Sequence, residues 1–375
     1  MTTFLLHFGP AHPAAHGVLR CMLYMRGEWI VSCSIVLGLL HRGTEKLMEY
    51  RNSTQAIGYM DRLDYVSPIA NECAFVYSIE EALCVTHSGS ASTMMSRIYM
   101  IEIMRIANHL LNIACHSGDL GCLITLLWLF EDRELLYTVS TSLCGSRVHA
   151  YAIIPYATRI TLGPSVMHTL VVFITELSTK METLINVILL HRLWGSRLLG
   201  VGTIASTHTS ISGVMLRCTG ITWDVRVIHN AYRYSSMSMS IVSGTTGDSY
   251  DRLLIRIMEV LVSASMVIQI TGVLLTMEGV YSVDVSDYTL ESLIGSFKQC
   301  ISCYGHAIGV GLVEAPKGEL YVMSSLDGVQ LWRIRIRCPD ILHLWLLHSI
   351  AVGLMLSDVV TLVGTIDVVF GSVDM

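Results

Sequence analysis

Between residues 18 and 36 apolar and polar positions alternate. Leu19, Cys21, Leu23 and Met25 fall on one face, Arg26-Gly27-Glu28 interrupts, and residues 29–36 return along the same pattern. A period of two with a break in the middle predicts a pair of strands joined by a turn. At Gly43-Thr44-Glu45-Lys46 a helix opens, with Thr44 placed to cap it and Glu45 suited to the positive end of its dipole. From about 67 to 140 the period becomes helical. Ile98, Ile101, Met104, Ile106 and Leu110 form a stripe that residues 126–136 continue. Residues 165–195 and 250–278 predict two more long helices, separated by a Gly/Ser/Thr-rich stretch of loops and short strands. After residue 314, strand-like runs such as 331–336 mix with a helix near 341–356 and a closing Val-rich strand near 359–370. The chain thus divides into an N-terminal β-rich region (1–66), a helical core (67–198), a loop and strand region (199–249) and a helical, mixed C-terminal region (250–375). This is an α+β pattern dominated by a central helical bundle.

Composition changes the picture in one respect. Of 375 residues 52% are hydrophobic and only 14% charged, with mean hydropathy +0.56, where an ordinary soluble domain is nearer a quarter charged. Such a chain is embedded in a membrane or covered by partners. Residues 260–277 and 341–357 carry no Asp, Glu, Lys or Arg, at the lower length limit for a spanning helix. Gln269 interrupts the first, His343 and His348 the second, and acids flank both, so deeply buried helices and a peripheral place at the membrane are the expectation. A net charge of −6 without a basic tract gives no footprint for nucleic acid. The first motif begins by residue 9, which argues against a cleaved presequence. Eleven scattered cysteines suggest a reducing compartment rather than a disulfide framework.

Four motifs carry chemistry. GPAHPAAHG (9–17) is a rigid loop, because proline fixes its own φ and restrains its neighbour. It presents His16 at the entry to a strand, and an imidazole donates a hydrogen bond or a proton near neutral pH; a packed loop whose histidines bond nearby carbonyls is the alternative. DRLDY (61–65) packs two acids, a base and a phenol together, which is either a solvated face, an ion-pair network, or a site where Tyr65 offers its hydroxyl to a carbonyl ligand. In HSGDLG (116–121), Asp119 could orient a histidine, or could sit exposed in a helix C-cap turn. In LHRGTEK (40–46), Arg42 could bind an anion or simply precede a capped helix. No metal site is expected: Cys300 and Cys303 form a single CxxC, and four-ligand sites need a second pair or added ligands. The usual nucleotide motifs are missing as well.

Taken together and in order, GPAHPAAHGVLR (9–20), LGLLHRGTEKLMEY (37–50), DRLDY (61–65), RIANHL (105–110), GDLG (118–121), FEDRE (130–134), RVHAY (147–151), SGVMLR (212–217), GDSYDRLLIR (247–256), EAPKGE (314–319) and DVVFGSVDM (367–375) resemble one family across almost the whole chain. It is the hydrogenase-like, quinone-site subunit of respiratory complex I, the NADH:quinone oxidoreductase. The resemblance implies a fold similar to the large subunit of nickel–iron hydrogenases. It implies partners: the subunit carrying the terminal iron–sulfur cluster, a neighbouring peripheral-arm subunit, and the membrane subunit that completes a quinone tunnel. Ubiquinone would be substrate, with no cofactor bound by this chain alone. His16 and Tyr65 would bind the quinone head group and supply protons for a reduction coupled to proton translocation, Asp119 would pair with His16, and Arg42 would lie near the partner's cluster. The place implied is the matrix side of the mitochondrial inner membrane, with an organelle-encoded chain, or else the cytoplasmic side of a bacterial plasma membrane.

Hydrogenase activity itself is not expected, because its metal site needs two CxxC pairs, one near each end, and Cys338 is the last cysteine here. A structural hydrogenase-like subunit without quinone chemistry is the alternative function. The sequence also departs from the family: Ile35-Val36-Leu37 replace the usual Pro-His before Gly38, Ile153-Ile154-Pro155-Tyr156 replace Arg and paired glycines, and the stretch near 229–245 is unlike the usual pattern.

Overall fold

In the computed structural model the described residues are 3–12, 17–84, 91–160, 162–208, 210–229, 234–276, 290–291, 294–295 and 305–375. The architecture is mixed α and β. The alternating N-terminal pattern forms strands β2 (Arg20–Arg26) and β3 (Trp29–Val36), and β1 (Thr3–Phe8), which the alternation does not single out, adds a third antiparallel strand on the edge. The positions that alternate in sequence, Cys21, Leu23 and Met25, are the buried ones.

Short helices α1 (Thr44–Met48) and α2 (Ser53–Met60) lead into α3 (Pro68–Ala82), α4 (Ala91–Asp119) and α5 (Leu123–Cys144). After the two-residue strands β4 (Ile153–Ile154) and β5 (Ala157–Thr158) come α6 (Pro164–Leu190) and α7 (Arg192–Leu198), and then two single-turn helices, α8 (Val214–Arg217) and α9 (Val225–Ile228). Long α10 (Ser249–Thr276) packs between α4 and α6. A second antiparallel sheet follows, β6 (His306–Ala315), β7 (Gly318–Asp327) and β8 (Gln330–Arg337), closed by α11 (Pro339–Ile350), α12 (Leu356–Ile366) and α13 (Phe370–Val373). Sheet β6-β7-β8 lies against α3, and the N-terminal sheet lies against α11.

Three expectations need correction. Residues 359–370 are not a strand. Val359, Leu362, Val363 and Ile366 recur at helical spacing on the buried side of α12, and the Asp358 carboxylate accepts from the Met355 N–H at 3.3 Å across its first turn. Burial of that stripe outweighs the β preference of valine. The stretch 199–249 holds short helices and turns, with no strand among its described residues. The helix expected near 341–356 ends at Ile350 and has 12 residues, too few to cross a bilayer.

Helix α10 is long and apolar enough to cross a membrane by length and composition alone, yet 61% of its most apolar window is buried inside the protein. Arg252, Arg256 and Glu259 are among its buried residues. The low surface charge inferred from composition thus has an internal counterpart, since many of the few charged side chains this chain has are inside it.

Candidate functional site

The turn between α2 and α3 carries DRLDY. Proline at the first position of α3 fixes where that helix starts. In this turn Asp61 and Asp64 are buried, Leu63 is fully buried, and Tyr65 is 47% exposed. The acids of the cluster thus face an internal ion-pair network, while Arg62 and the Tyr65 phenol are outward.

The cation for Asp64 comes from the other end of the chain. Lys317 stands in the turn between β6 and β7, where Ala315 pairs with Gly318. It is buried, with Nζ 2.7 Å from Asp64 Oδ2 and 2.8 Å from Asn108 Oδ1 on α4. Two glycines make this depth possible. A Cβ on Gly318 would lie 2.5 Å from Ser212 Oγ, and one on Gly213 would lie 2.6 Å from the Gly318 Cα. Both have positive φ, 143° and 64°. The GE of EAPKGE and the SG of SGVMLR are in contact, and that contact drives the lysine inward.

Two further blocks close around the same turn. Arg42, exposed in the loop after β3, donates to the Arg62 carbonyl at 2.9 Å. Gly371 at the start of α13 passes so close to the turn that a Cβ would lie 2.3 Å from the Leu63 carbonyl oxygen. Asp374 then accepts from Gly38 N–H (2.9 Å) and Leu40 N–H (2.7 Å), while His41 Nδ1 sits 2.6 Å from its carbonyl. Segments near 40, 64, 108, 317 and 371 thus meet around the turn that carries Tyr65. Burial raises the Tyr65 pKa, Asp64 and Asp340 add to the rise, and Lys317 opposes it. The hydroxyl keeps its proton at neutral pH and remains a donor.

Asp119 ends α4. Leu120, Gly121 and Cys122 wrap back onto the carbonyls of His116, Gly118 and Ser117, and Gly121 has φ +91°. This is the C-cap turn with an exposed aspartate. The carboxylate stands beside Gly364, 3.4 Å from where a Cβ there would be, with His116 on the same side. Asn108, Asn112, His116 and Asp119 form one polar stripe along α4 against the end of α12. Asn108 donates to Asp367 at 2.9 Å and Asn112 to the Gly364 carbonyl at 3.0 Å. At 1.5 Å rise per residue the stripe runs about 16 Å from the lysine cluster to Asp119. His16 lies outside the described residues, as do Cys300 and Cys303; the described part of its loop stacks His12 on Phe8 with ring centroids 4.6 Å apart. Among the described residues no group of three or more His, Cys, Asp and Glu could hold a metal ion.

Sequence reasoning missed Lys317, Asn108, Asp340 and Asp367. Each is a polar residue in a strongly apolar chain, costly to bury unless paired, but the partners that show it to be part of this site are distant in sequence.

Two buried histidines carry a prediction. Burial and the nearby Arg256 and Arg252 guanidinium groups lower His116 to about 3; burial lowers His343 to about 4, and its Nε2 accepts from the Ser212 N–H at 3.4 Å as a neutral ring does. Both are neutral in the folded chain and charge in the unfolded one near pH 6.5. Their stabilising contribution is full above pH 6.5 and is lost as pH falls toward the folded values. At pH 5 the two together withdraw about 4 kcal/mol. Proteolytic or hydrogen-exchange opening of this subunit within its assembly should steepen between pH 7 and 5. A His116→Gln/His343→Gln variant should lose most of that slope, and an unchanged slope would place the acid sensitivity elsewhere.

The family model described as "Respiratory-chain NADH dehydrogenase, 49 Kd subunit" matches residues 119–375. Among curated relatives, the NADH-ubiquinone oxidoreductase 49 kDa subunit of Prototheca wickerhamii is 38% identical over 99% of this chain and 96% of its own length. That of Reclinomonas americana is 38% identical over 100% and 98%. A bacterial relative, an NADH-quinone oxidoreductase subunit of Rickettsia typhi, is 37% identical over 99% of both chains. With the motif blocks folded together as described, the chain belongs to the 49 kDa subunit family of the respiratory-chain NADH dehydrogenase.

Proposed function

We propose that this subunit of the NADH:quinone oxidoreductase forms one wall of the quinone head-group pocket, with Tyr65 as hydrogen-bond and proton donor to a quinone carbonyl. The observation that carries this is the posture of the DRLDY turn: its two acids are buried, its exposed Arg62 is turned onto the Gly58 carbonyl, and its exposed Tyr65 presents a protonated phenol. Reducing a quinone to a quinol takes two electrons and two protons. The electrons come from an iron–sulfur cluster in the adjacent subunit. The protons come from donors at the two carbonyls, Tyr65 at one and His16 at the other, with Asp119 as the partner of His16. Arg42, tied to the turn through the Arg62 carbonyl, lies at the face toward the cluster-bearing subunit.

The fold proposed is that of the nickel–iron hydrogenase large subunit. Leu123, Ile124 and Leu127, which follow closely after Asp119, are 64%, 83% and 69% exposed. An apolar group of this kind calls for a covering partner, and the membrane subunit that completes the tunnel fits that chemistry. A peripheral-arm neighbour covers another face. The subunit works on the matrix side of the mitochondrial inner membrane, and the charge change at His16 and Asp119 on reduction links quinone chemistry to proton translocation.

A photoreactive quinone tests the pocket. In the assembled complex, irradiation should label the peptide 61–66, and excess quinone should protect it. Labelling confined to other subunits, or labelling that quinone does not reduce, would favour the structural-subunit alternative.

A further inference from the structure

Behind Tyr65 the structure holds more acid than its lysine needs. Lys317 faces three carboxyl groups, Asp64, Asp367 and Asp340. Asp64 is committed to the 2.7 Å ion pair, and Asp367 accepts from the Asn108 amide. Asp340 is placed differently. It lies in the first turn of α11 and is 2% exposed. Its Oδ2 contacts the Ser372 hydroxyl, and its Oδ1 has no hydrogen-bond partner among the described residues.

Ser372 Oγ also lies 2.7 Å from the Val369 carbonyl oxygen, which can only accept. A hydroxyl has one hydrogen to give. Both contacts are satisfied together when Ser372 donates to Val369 and the Asp340 carboxyl donates to Ser372. Burial raises Asp340 to about 7, with Asp64 and Asp367 adding to the rise; Lys317 pulls it down, and a hydroxyl proton from Ser372 would too, a pull that lapses once Ser372 donates to Val369. Lys317 and Asp340 both act on the Tyr65 phenol. A cleft of about 630 Å³, lined by residues that include His41, Glu45, Arg337, Cys338, Ile341 and Asp374, reaches the chain on either side of Asp340.

We propose that Asp340 is the proton store for Tyr65, a neutral carboxylic acid that restores the phenol proton after Tyr65 has passed its own to the quinone. This rests on Tyr65 being the donor, as set out above, and Asp340 acts only through it. When the quinone takes up its two electrons, the Tyr65 O–H bond breaks toward a quinone oxygen and leaves a phenolate. The Asp340 O–H bond then breaks, its proton completes the phenol, and the carboxylate left behind is held by the Lys317 ammonium group. A solvent proton, entering by the cleft, makes Asp340 an acid again.

The ionisable groups that set this balance are Lys317 from the β6–β7 turn, Asp64 and Tyr65 from the α2–α3 turn, Asp367 after α12 and Cys338 just before α11. Glu45 of α1, bonded to the Ile336 N–H at 2.9 Å, acts through Cys338. Neutral His343 follows on α11 itself, while β7 presents Tyr321 and β3 presents Cys33, whose carbonyl meets His348.

The test is Asp340→Asn in the intact complex, with inhibitor-sensitive quinone reduction measured from pH 6 to 9. The rate is divided by NADH oxidation with an acceptor that draws electrons before the quinone site. The parent rate should fall as pH rises through about 7. The Asn variant should be about tenfold slower at pH 6, flat across the range, and unchanged in quinone KM. An Asn variant with the parent's rate and titrating limb overturns the proposal. If that variant does not assemble, Asp340→Glu decides: a displaced limb supports the store, and a limb that stays put overturns it. Parent-like turnover in Tyr65→Phe would remove the donor and the store together. A slow Tyr65→Phe beside a parent-like Asp340→Asn would remove the store alone.

Discussion

Tyr65→Phe in the assembled complex is expected to cut the kcat of quinone reduction by about 100-fold. The substitution keeps the ring and removes only the hydroxyl, and at 47% exposure that hydroxyl is not what holds the turn. The turn is held by Asp64 on Lys317, by Arg42 on the Arg62 carbonyl, and by Gly371 pressed on Leu63, none of which involves the phenol. Assembly and NADH oxidation with an early acceptor should therefore be unchanged. The loss should fall on kcat more than on KM, because a donor that gives up its proton during the reaction interacts with the transition state more strongly than with bound quinone. Steady-state rates at saturating quinone measure this directly. A Phe variant that turns over normally would end the donor role, and one that fails to assemble would mean the phenol is structural.

Some of this is legible in the sequence. The N-terminal hairpin is, because Cys21, Leu23 and Met25 alternate in a sheet with one dry face. So are the long helices, whose stripes exceed any strand length. The closing segment misleads because Val359, Val360, Val363, Val368 and Val369 suggest a strand by composition, and only burial against its neighbours reveals the helical phase. Tyr65 and Arg42 can be named from their motifs, and the structure joins the segments that carry them. Asp119 is equally visible in its motif, and the fold adds the C-cap turn that holds it. Lys317 and Asp340 cannot be placed from sequence at all. Their partners are 253 residues away for one and 32 for the other, and no local spacing encodes that a glycine pair at 213 and 318 forces the β6–β7 turn into the core. Long-range charge pairing is a property of the packed chain, and here it is where most of the unexpected chemistry lies.

The same pattern sets the second large expectation, Arg217→Leu. This arginine on α8 is fully buried among carboxylates from three other segments. Its Nε donates to Glu259 at 2.9 Å, its Nη1 to Glu314 at 2.9 Å and to the Trp223 carbonyl at 3.1 Å, and Asp224 lies 3.4 Å away. Burial works against its charge, but the three acids outweigh burial and hold its pKa above the ordinary value. They rely on it in return. Glu259 is held well below the usual carboxylate range chiefly by Arg217, in spite of burial, while burial, with Asp224 adding to it, pushes Glu314 up to about 7 against the pull of Arg217. Removing the guanidinium leaves buried acids that must ionise unpaired or take up protons. Breaking a buried pair in this way costs about 3–5 kcal/mol, against a total stability of about 5–15 kcal/mol. The Leu variant should accumulate as an unassembled, protease-sensitive chain, and native electrophoresis of membranes should show the NADH-oxidising complex without it. Arg217→Leu/Glu259→Leu separates charge from packing, because it removes one of the stranded acids while keeping the site filled. Partial recovery of assembly in the double variant would show that the cost is electrostatic. If the double variant is no better than the single, Arg217 holds α8 in place mainly through its bond to the Trp223 carbonyl and its packing, and the buried acids tolerate its loss by binding protons.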